Sequence, residues 1–444
     1  MRRVGNSLYS KEEKKLEGYL NKLDEIEIPE IALDQAIEAG FQRARLERKP
    51  RKRWIMTVAS AAILLLGFFT TIRISPAFAN YIAEIPGMEK IVELIRHDKG
   101  LMTAIENEYY QELGVSVEKN GLEVVIDGAI ADENGLVLFY TLNTDKKQKE
   151  ISTGEPSLTA LDGGKMVVGT ISYGFPHHSE KGEYSYSGTL EYFFQEPLTA
   201  REFLLDLTVD GDTVDEKVSL TFKLQDEISP KKTYTLNETV TIAGQQIHFL
   251  DAIVYPLRVA VHVKMDPENT KKLLEFEDLR LVDENGETWS KINNGTTASK
   301  ISDDETIYYL QSNYFNEPEK LFLVFNKIQA VEKEHSAIVV DTEKGEILSQ
   351  PNGNKLRDLE IRGSNIGFSI YTKEEFHYGL FSEVTDGEGK KIDIDSSWSR
   401  VSDDGGINQV GVSIPNLRKY PNPISLELAF FPAWIEGEGK IRIK

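Results

Sequence analysis

The spacing of apolar positions changes character twice along this 444-residue chain. Over the first 45 residues or so it is helical. Ser10 and Glu13 form a capping box, after which Leu16, Tyr19, Leu20 and Leu23 share one face. Pro29 stands at a first helical position, and Leu33, Ala36, Ile37, Gly40, Phe41 and Ala44 make a second stripe. Charged residues occupy the opposite faces. Two such helices enclose too little apolar volume for a core of their own. They lie on a membrane, bury their stripes in a partner, or remain nascent helices in a loose tether.

The second pattern is unbroken hydrophobicity. Trp54 to Ile72, WIMTVASAAILLLGFFTTI, holds no charge and no proline over 19 residues. At helical rise this run covers roughly 28 Å, close to the hydrocarbon core of a bilayer. Residues 54–74 are therefore expected to form one transmembrane helix. Beyond it, residues 75–112 again show helical spacing, with Ile82, Ile85, Met88, Ile91, Val92 and Ile95 apolar and Pro86-Gly87 dividing the stretch. A further amphipathic piece runs from Leu101 to Leu113. Residues 75–114 are expected to form a helical stalk between the membrane and the remainder of the chain.

From Val115 the period falls to two. Segments such as LEVVIDGAIA, LVLFYTL, KMVVGTISY, FLLDLTV and KVSLTFKL alternate apolar and polar residues between Asn-Gly and Asp-Gly turns, which is the signature of β-hairpins. The pattern restarts three times, at LEVVIDGAIADENGLVLFYTL, at TVTIAGQQIHFLDAIVYPLRVAVHV and at DLEIRGSNIGFSIYTKEEFHYGLF. Each restart is expected to close with a strand pair: FLLDLTV with KVSLTFKL, LFLVFNKI with AIVVDT, and ISLELAFF with KIRIK. The fold class read from this is mainly β. It consists of a short helical arm (1–53), the transmembrane helix, the stalk, and tandem β-sandwich, immunoglobulin-like domains at 115–228, 229–343 and 344–444.

Charge orients the span. Between Arg43 and Arg53 stand seven Lys or Arg against Glu47 alone, while Arg73 is isolated on the far side. Positive charge stays inside, so the N-terminus is expected in the cytoplasm and the β domains outside the cell. Arg51, Lys52, Arg53 and Trp54 flank the membrane, with Trp54 as an interfacial anchor. Residues 1–53 carry a net +3, whereas those beyond Arg73 carry a net −25. So acidic an exterior disfavours direct nucleic-acid binding and adhesion to anionic lipid. The chain has no Cys, which excludes disulfide staples, thiolate metal sites and cysteine catalysis.

Candidate chemistry is sparse. The loops Asp132-Glu133-Asn134-Gly135, Asp283-Glu284-Asn285-Gly286 and Asp386-Gly387-Glu388-Gly389 suggest calcium sites. They lack the continuation that ends in a bidentate Glu, so they read as turns. His177 and His178 are adjacent and would point to opposite faces of a strand. No HExxH, GxSxG or Walker A motif occurs, and no cofactor or enzyme reading follows. Tyr184, Tyr186, Tyr192, Phe193 and Phe194 could line a glycan-binding face, but core and strand-edge positions are the commoner use. Ala77-Phe78-Ala79 matches the small-x-small pattern read by signal peptidase, after an arm too long for an ordinary signal peptide. It marks either an uncut anchor or a regulated cleavage site.

The stretch SPAFANYIAEIPGMEKIVELIRHDKGLMTAIENEYYQELGVSVEKNGLEVVIDGAIADENGLVLFYTL resembles the opening of a Firmicute membrane-protein family built on domain of unknown function number 4179. YTLNETVTIAGQQIHFLDAIVYPLRVAVHVKMDPEN resembles the companion domain that often accompanies it. The arm IPEIALDQAIEAGFQRARLERKPRKRW is similar to that of lysozyme-sensing membrane anti-sigma factors, though it lacks the His and paired Cys of zinc-type anti-sigma domains. The resemblance implies an anti-sigma-factor-like regulator. Leu16, Leu20, Leu23, Leu33, Ile37 and Phe41 would bind an extracytoplasmic-function sigma factor, and the exterior would sense an unknown envelope ligand. Release would follow cleavage near Ala79 and a second cut within the span. The alternative is a surface-anchored module that binds wall polymer or an envelope protein and has no regulatory role.

Overall fold

In the computed structural model, residues 88–174, 176–292, 297–374, 376–401 and 407–444 are described. The expected cytoplasmic arm, the span and the first part of the stalk lie outside them. Among the described residues no helix is long and apolar enough to cross a membrane. The described chain is mainly β, with two short α-helices ahead of a long series of strands.

The helices are α1 (Met88–Ile95) and α2 (Lys99–Glu106). Asp98 caps α2 by accepting from Leu101 N at 3.0 Å, and Asn107 closes it. Helices of eight residues are marginal alone. These are held by Ile91, Ile95, Leu101, Met102 and Ile105, all buried against Ile130, Val137, Phe139 and Leu257. Each such side chain contributes about 1.5–3 kcal/mol. Of the region expected as a helical stalk, the described part from Met88 is docked on the first β unit, and its helix ends at Glu106 rather than continuing to Leu113. Residues 111–113 belong instead to the strand Gln111–Lys119, where the two-residue period of Leu113, Val115 and Val117 prevails over the helical spacing of 101–113.

The first β unit (111–224) opens with the hairpin predicted by Asn120-Gly121, whose φ values of 50° and 81° match a two-residue turn. The 19-residue strand Gly135–Thr153 pairs with Leu122–Ala131 along its first half and with His177–Phe194 as far as Ile151. Its end pairs with Glu202–Gly211, so one strand serves both layers around the core. FLLDLTV and KVSLTFKL pair as expected.

In the second unit two sheets enclose one core. One sheet runs 298–300, 305–311, 258–265, 245–254, 232–242. The other holds 271–276, 321–332, 280–283 and 288–289. The remaining expected pairs are not formed. LFLVFNKI pairs with the last strand, Trp434–Arg442, through Leu323↔Ile441 and Ile328↔Ile435. AIVVDT pairs with ISLELAFF, through Ile338↔Leu426. The third unit, from Lys333 to Ala433, therefore sits between two strands of the second. Ile435, Ile441 and Ile443 are buried in the second core, which explains why the C-terminal strand returns there. The third core lies between the sheets 346–349, 337–341, 424–428, 381–385 and 356–362, 365–370, 407–413, 396–401.

Candidate functional site: a buried charged junction

Three short motifs from distant parts of the sequence meet where α2, the first β unit and the second β unit touch. They are Asp98-Lys99-Gly100, Asp132-Glu133-Asn134-Gly135 and Tyr255-Pro256-Leu257-Arg258.

Asp132 is fully buried. Its Oδ1 accepts from the backbone N–H groups of Asn134 and Gly135, both at 2.8 Å, which makes the loop a turn. Its Oδ2 accepts from Leu257 N at 2.9 Å, which joins the first unit to the second. One carboxylate thus shapes a turn and fastens two units. Burial pushes the Asp132 carboxyl up, while Arg258 and three backbone N–H groups pull it back down.

Arg258 begins a strand of the second unit and is 3 % exposed. Its guanidinium lies 3.3 Å from the ring centroid of Phe193 in the first unit and 5.5 Å from that of Tyr309 in the second. A desolvated cation over an aromatic face gains about 2 kcal/mol. The guanidinium interacts electrostatically with three carboxylates, those of Asp98, Asp132 and Glu191. Burial lifts the Glu191 carboxyl to about 7; Arg258 opposes the rise and Asp98 adds to it. Burial likewise raises Asp98. Asp132 and Arg258 are held out of water, while Asp98 and Glu191 stay partly exposed at the edge of the cluster.

The N-terminus of α2 completes the junction. Lys99 pairs with Glu287 at 2.6 Å, donates to the Thr288 carbonyl at 3.0 Å and lies 4.1 Å from the Trp289 ring centroid. The side chain of Gln311 donates to the His97 carbonyl at 3.0 Å. Gly100 is required because a Cβ there would come within 2.6 Å of Ser312 N. At Gly135 a Cβ would come within 2.4 Å of Arg258 Nη2. Lys231 bridges to Glu133 at 3.0 Å.

The residues singled out from the sequence as partner-binding, membrane-flanking or processing sites are not among the described ones: Leu16, Leu20, Leu23, Leu33, Ile37, Phe41, Arg51, Lys52, Arg53, Trp54, Ala77, Phe78 and Ala79. The turn reading of the acidic loops is borne out: Asp283 Oδ1 accepts from Asn285 and Glu287, and Asp386 Oδ1 from Glu388 and Lys390. Among the described residues no group of three or more His, Cys, Asp or Glu could hold a metal ion. His178 turns to Glu150 at 3.3 Å and His177 to the Tyr186 ring. Tyr186, Tyr192, Phe193 and Phe194 are buried, and Tyr184 is exposed, so this aromatic run mainly packs the first unit and the junction. The sequence marks Asp132 only as part of a turn and gives Arg258 no role. The available signal was an acid in a turn and a lone Arg entering an apolar strand.

No curated protein matches the chain. Among solved structures it is similar to one described as the crystal structure of the conserved domain protein from Bacillus anthracis. That likeness is 16 % in identity with a TM-score of 0.37, over 54 % of this chain and 84 % of that one. Two family models match. A domain of unknown function, DUF4179, covers residues 49–144, and a family of unknown function, DUF5643, covers residues 231–362. The first match ends inside the long strand of the first unit, and the second runs past Lys333 into the third. The three junction motifs fall within these matches, and the chain carries a DUF4179 domain followed by a DUF5643 domain.

Proposed function

We propose that this chain is a single-pass membrane regulator of the anti-sigma type. In this reading its N-terminal arm holds a sigma factor in the cytoplasm, and its immunoglobulin-like β units respond to an envelope signal outside. The observation that carries the reading is the charged junction. The helices α1 and α2, which come after the apolar span in sequence, are wedged between the first two β units by Asp98, Lys99, Gly100, Asp132 and Arg258. A shift of one β unit against the other has to move those helices, because Leu257, Ile105 and Phe139 share one packed cluster. That couples an outer event to the segment leading toward the membrane.

Inside, Leu16, Leu20, Leu23, Leu33, Ile37 and Phe41 supply the apolar stripes that a sigma factor would cover. Burying each would contribute about 1.5–3 kcal/mol before the arm is ordered. The test is affinity purification of the intact chain from host membranes, with and without residues 1–48. A sigma factor should copurify with the intact chain only. Charging both Ile37 and Phe41 (I37E/F41E) should release it and raise transcription of its target genes. Absence of any sigma factor, or unchanged transcription in the double variant, refutes the proposal.

A further inference from the structure

The outer face of one sheet in the third unit carries chemistry that its packing does not use. Strands Asn365–Ile370 and Ile407–Ser413 turn Ile366, Phe368, Val410 and Val412 into the core. By alternation, Gly367, Ser369, Gln409 and Gly411 face outward. The register sets Trp398 opposite Gly411, Gly411 opposite Gly367, and Gly367 opposite Glu360, one row across four strands.

The two glycines let the indole lie against the sheet. A Cβ on Gly411 would come within 2.3 Å of Trp398 Cζ2, and one on Gly367 within 2.9 Å of Cζ2 and Cη2. Trp398 is still only half-buried. Around it opens a groove of about 230 Å³. On one side Arg400 stands 5.8 Å from the indole centroid and donates to Gln409 Oε1 at 3.1 Å. On the other side lie Asp358, Glu360 and Arg362, with Arg362 paired to Glu360 at 3.1 Å.

We propose that this groove binds a neutral oligosaccharide. A pyranose ring offers C–H groups on its face and hydroxyls on its rim. The indole supplies an apolar platform, and the planar guanidinium, carboxylate and amide groups around it match vicinal hydroxyls as donors and acceptors. The two carboxylates of the groove balance its two arginines, so it holds no net charge to attract a polyanion. The chain beyond Arg73, at net −25, repels one. This deepens the regulatory reading by naming a ligand class for its outer part, yet it stands on the groove alone.

The test uses the full chain in lipid nanodiscs, free of glycoside detergents. It is titrated with cellotetraose and with chitotetraose by calorimetry and tryptophan fluorescence, and with poly(glycerol phosphate) as the anionic arm. Saturable binding of at least one neutral tetrasaccharide is expected. Trp398→Ala should weaken it at least about tenfold, with Trp398→Phe intermediate and Arg400→Ala also weaker. Should W398A fail to fold, W398F and R400A decide the question. No binding of either neutral sugar up to about 10 mM, binding unaltered in the variants, or binding of the polyanion alone overturns the proposal. Sugar binding is read without any sigma factor, so its failure and the failure of the regulatory reading are separate results.

Discussion

Removing the Asp132 carboxylate should unlock the first two β units from each other. Asp132→Ala leaves the N–H groups of Asn134, Gly135 and Leu257 without their acceptor and strips Arg258 of its fully buried counter-charge. Hydrogen bonds to a charged group are worth about 1.5–3 kcal/mol each, so three would sum to about 4.5–9 kcal/mol. The variant also escapes the desolvation that raises the acid's pKa, which offsets part of that sum, and it removes one of the three carboxylates that favour the Arg258 cation. A loss near 4 kcal/mol is therefore expected for D132A. Asp132→Asn keeps one acceptor but turns an NH2 toward a backbone donor, and should lose about 2–3 kcal/mol. Urea unfolding of the full chain, monitored by circular dichroism, reads both values. A double-mutant cycle with Arg258→Met should show a coupling of about 0.5–3 kcal/mol. Losses below about 0.5 kcal/mol in both single variants, or strict additivity with R258M, would refute the latch.

Three other outcomes rest on the same geometry. Gly100→Ala would stabilise an exposed helix by about 0.5–1 kcal/mol, but the 2.6 Å approach to Ser312 N makes the docked α2 lose stability instead, so the sign of the change in melting temperature discriminates the two arrangements. Because folding raises the Glu191 carboxyl from 4.5 to about 7, the folded chain holds a proton there that the unfolded chain has lost. That stabilisation is complete below the unfolded value and disappears as pH rises through about 7; Glu191→Gln should flatten the stability difference between about pH 5 and about pH 8 by up to about 3 kcal/mol. Truncation after Ala433 removes Ile435, Ile441 and Ile443 from the second core, a loss of about 4–9 kcal/mol, so hydrogen exchange should accelerate in 247–265 and 321–332 before 337–341 and 424–428.

What was legible in the sequence was whatever depends on near neighbours. Alternation in LEVVIDGAIA marks a strand because side chains point to opposite faces, and Leu122, Val124 and Ile126 are indeed wholly buried. Asn120-Gly121 marks a hairpin because those two residues accept positive φ. The stripe of Ile91 and Ile95 marks a helix with one buried face for the same local reason. The charged junction was only half legible. Asp132 accepts from the N–H two residues on, as Asp283 and Asp386 do in their turns, and nothing in DENG announces that its second oxygen meets Leu257, 125 positions on.

The sequence by itself determined most of the elements, the apolar run at Trp54–Ile72 and the division of charge around it, because each is a property of a single segment. Only the tertiary structure decided partners. KIRIK and AIVVDT are equally good strands, and their alternation is silent on which edge each will join. The burial of Ile441 and Ile443 in the second core sends the last strand back across the third unit. The same holds for Trp398, whose seat on Gly367 and Gly411 exists only once strands 365–370, 396–401 and 407–413 lie side by side. Strand pairing and buried charge are set by contacts between residues far apart in the chain, and those contacts leave no periodic trace in either segment.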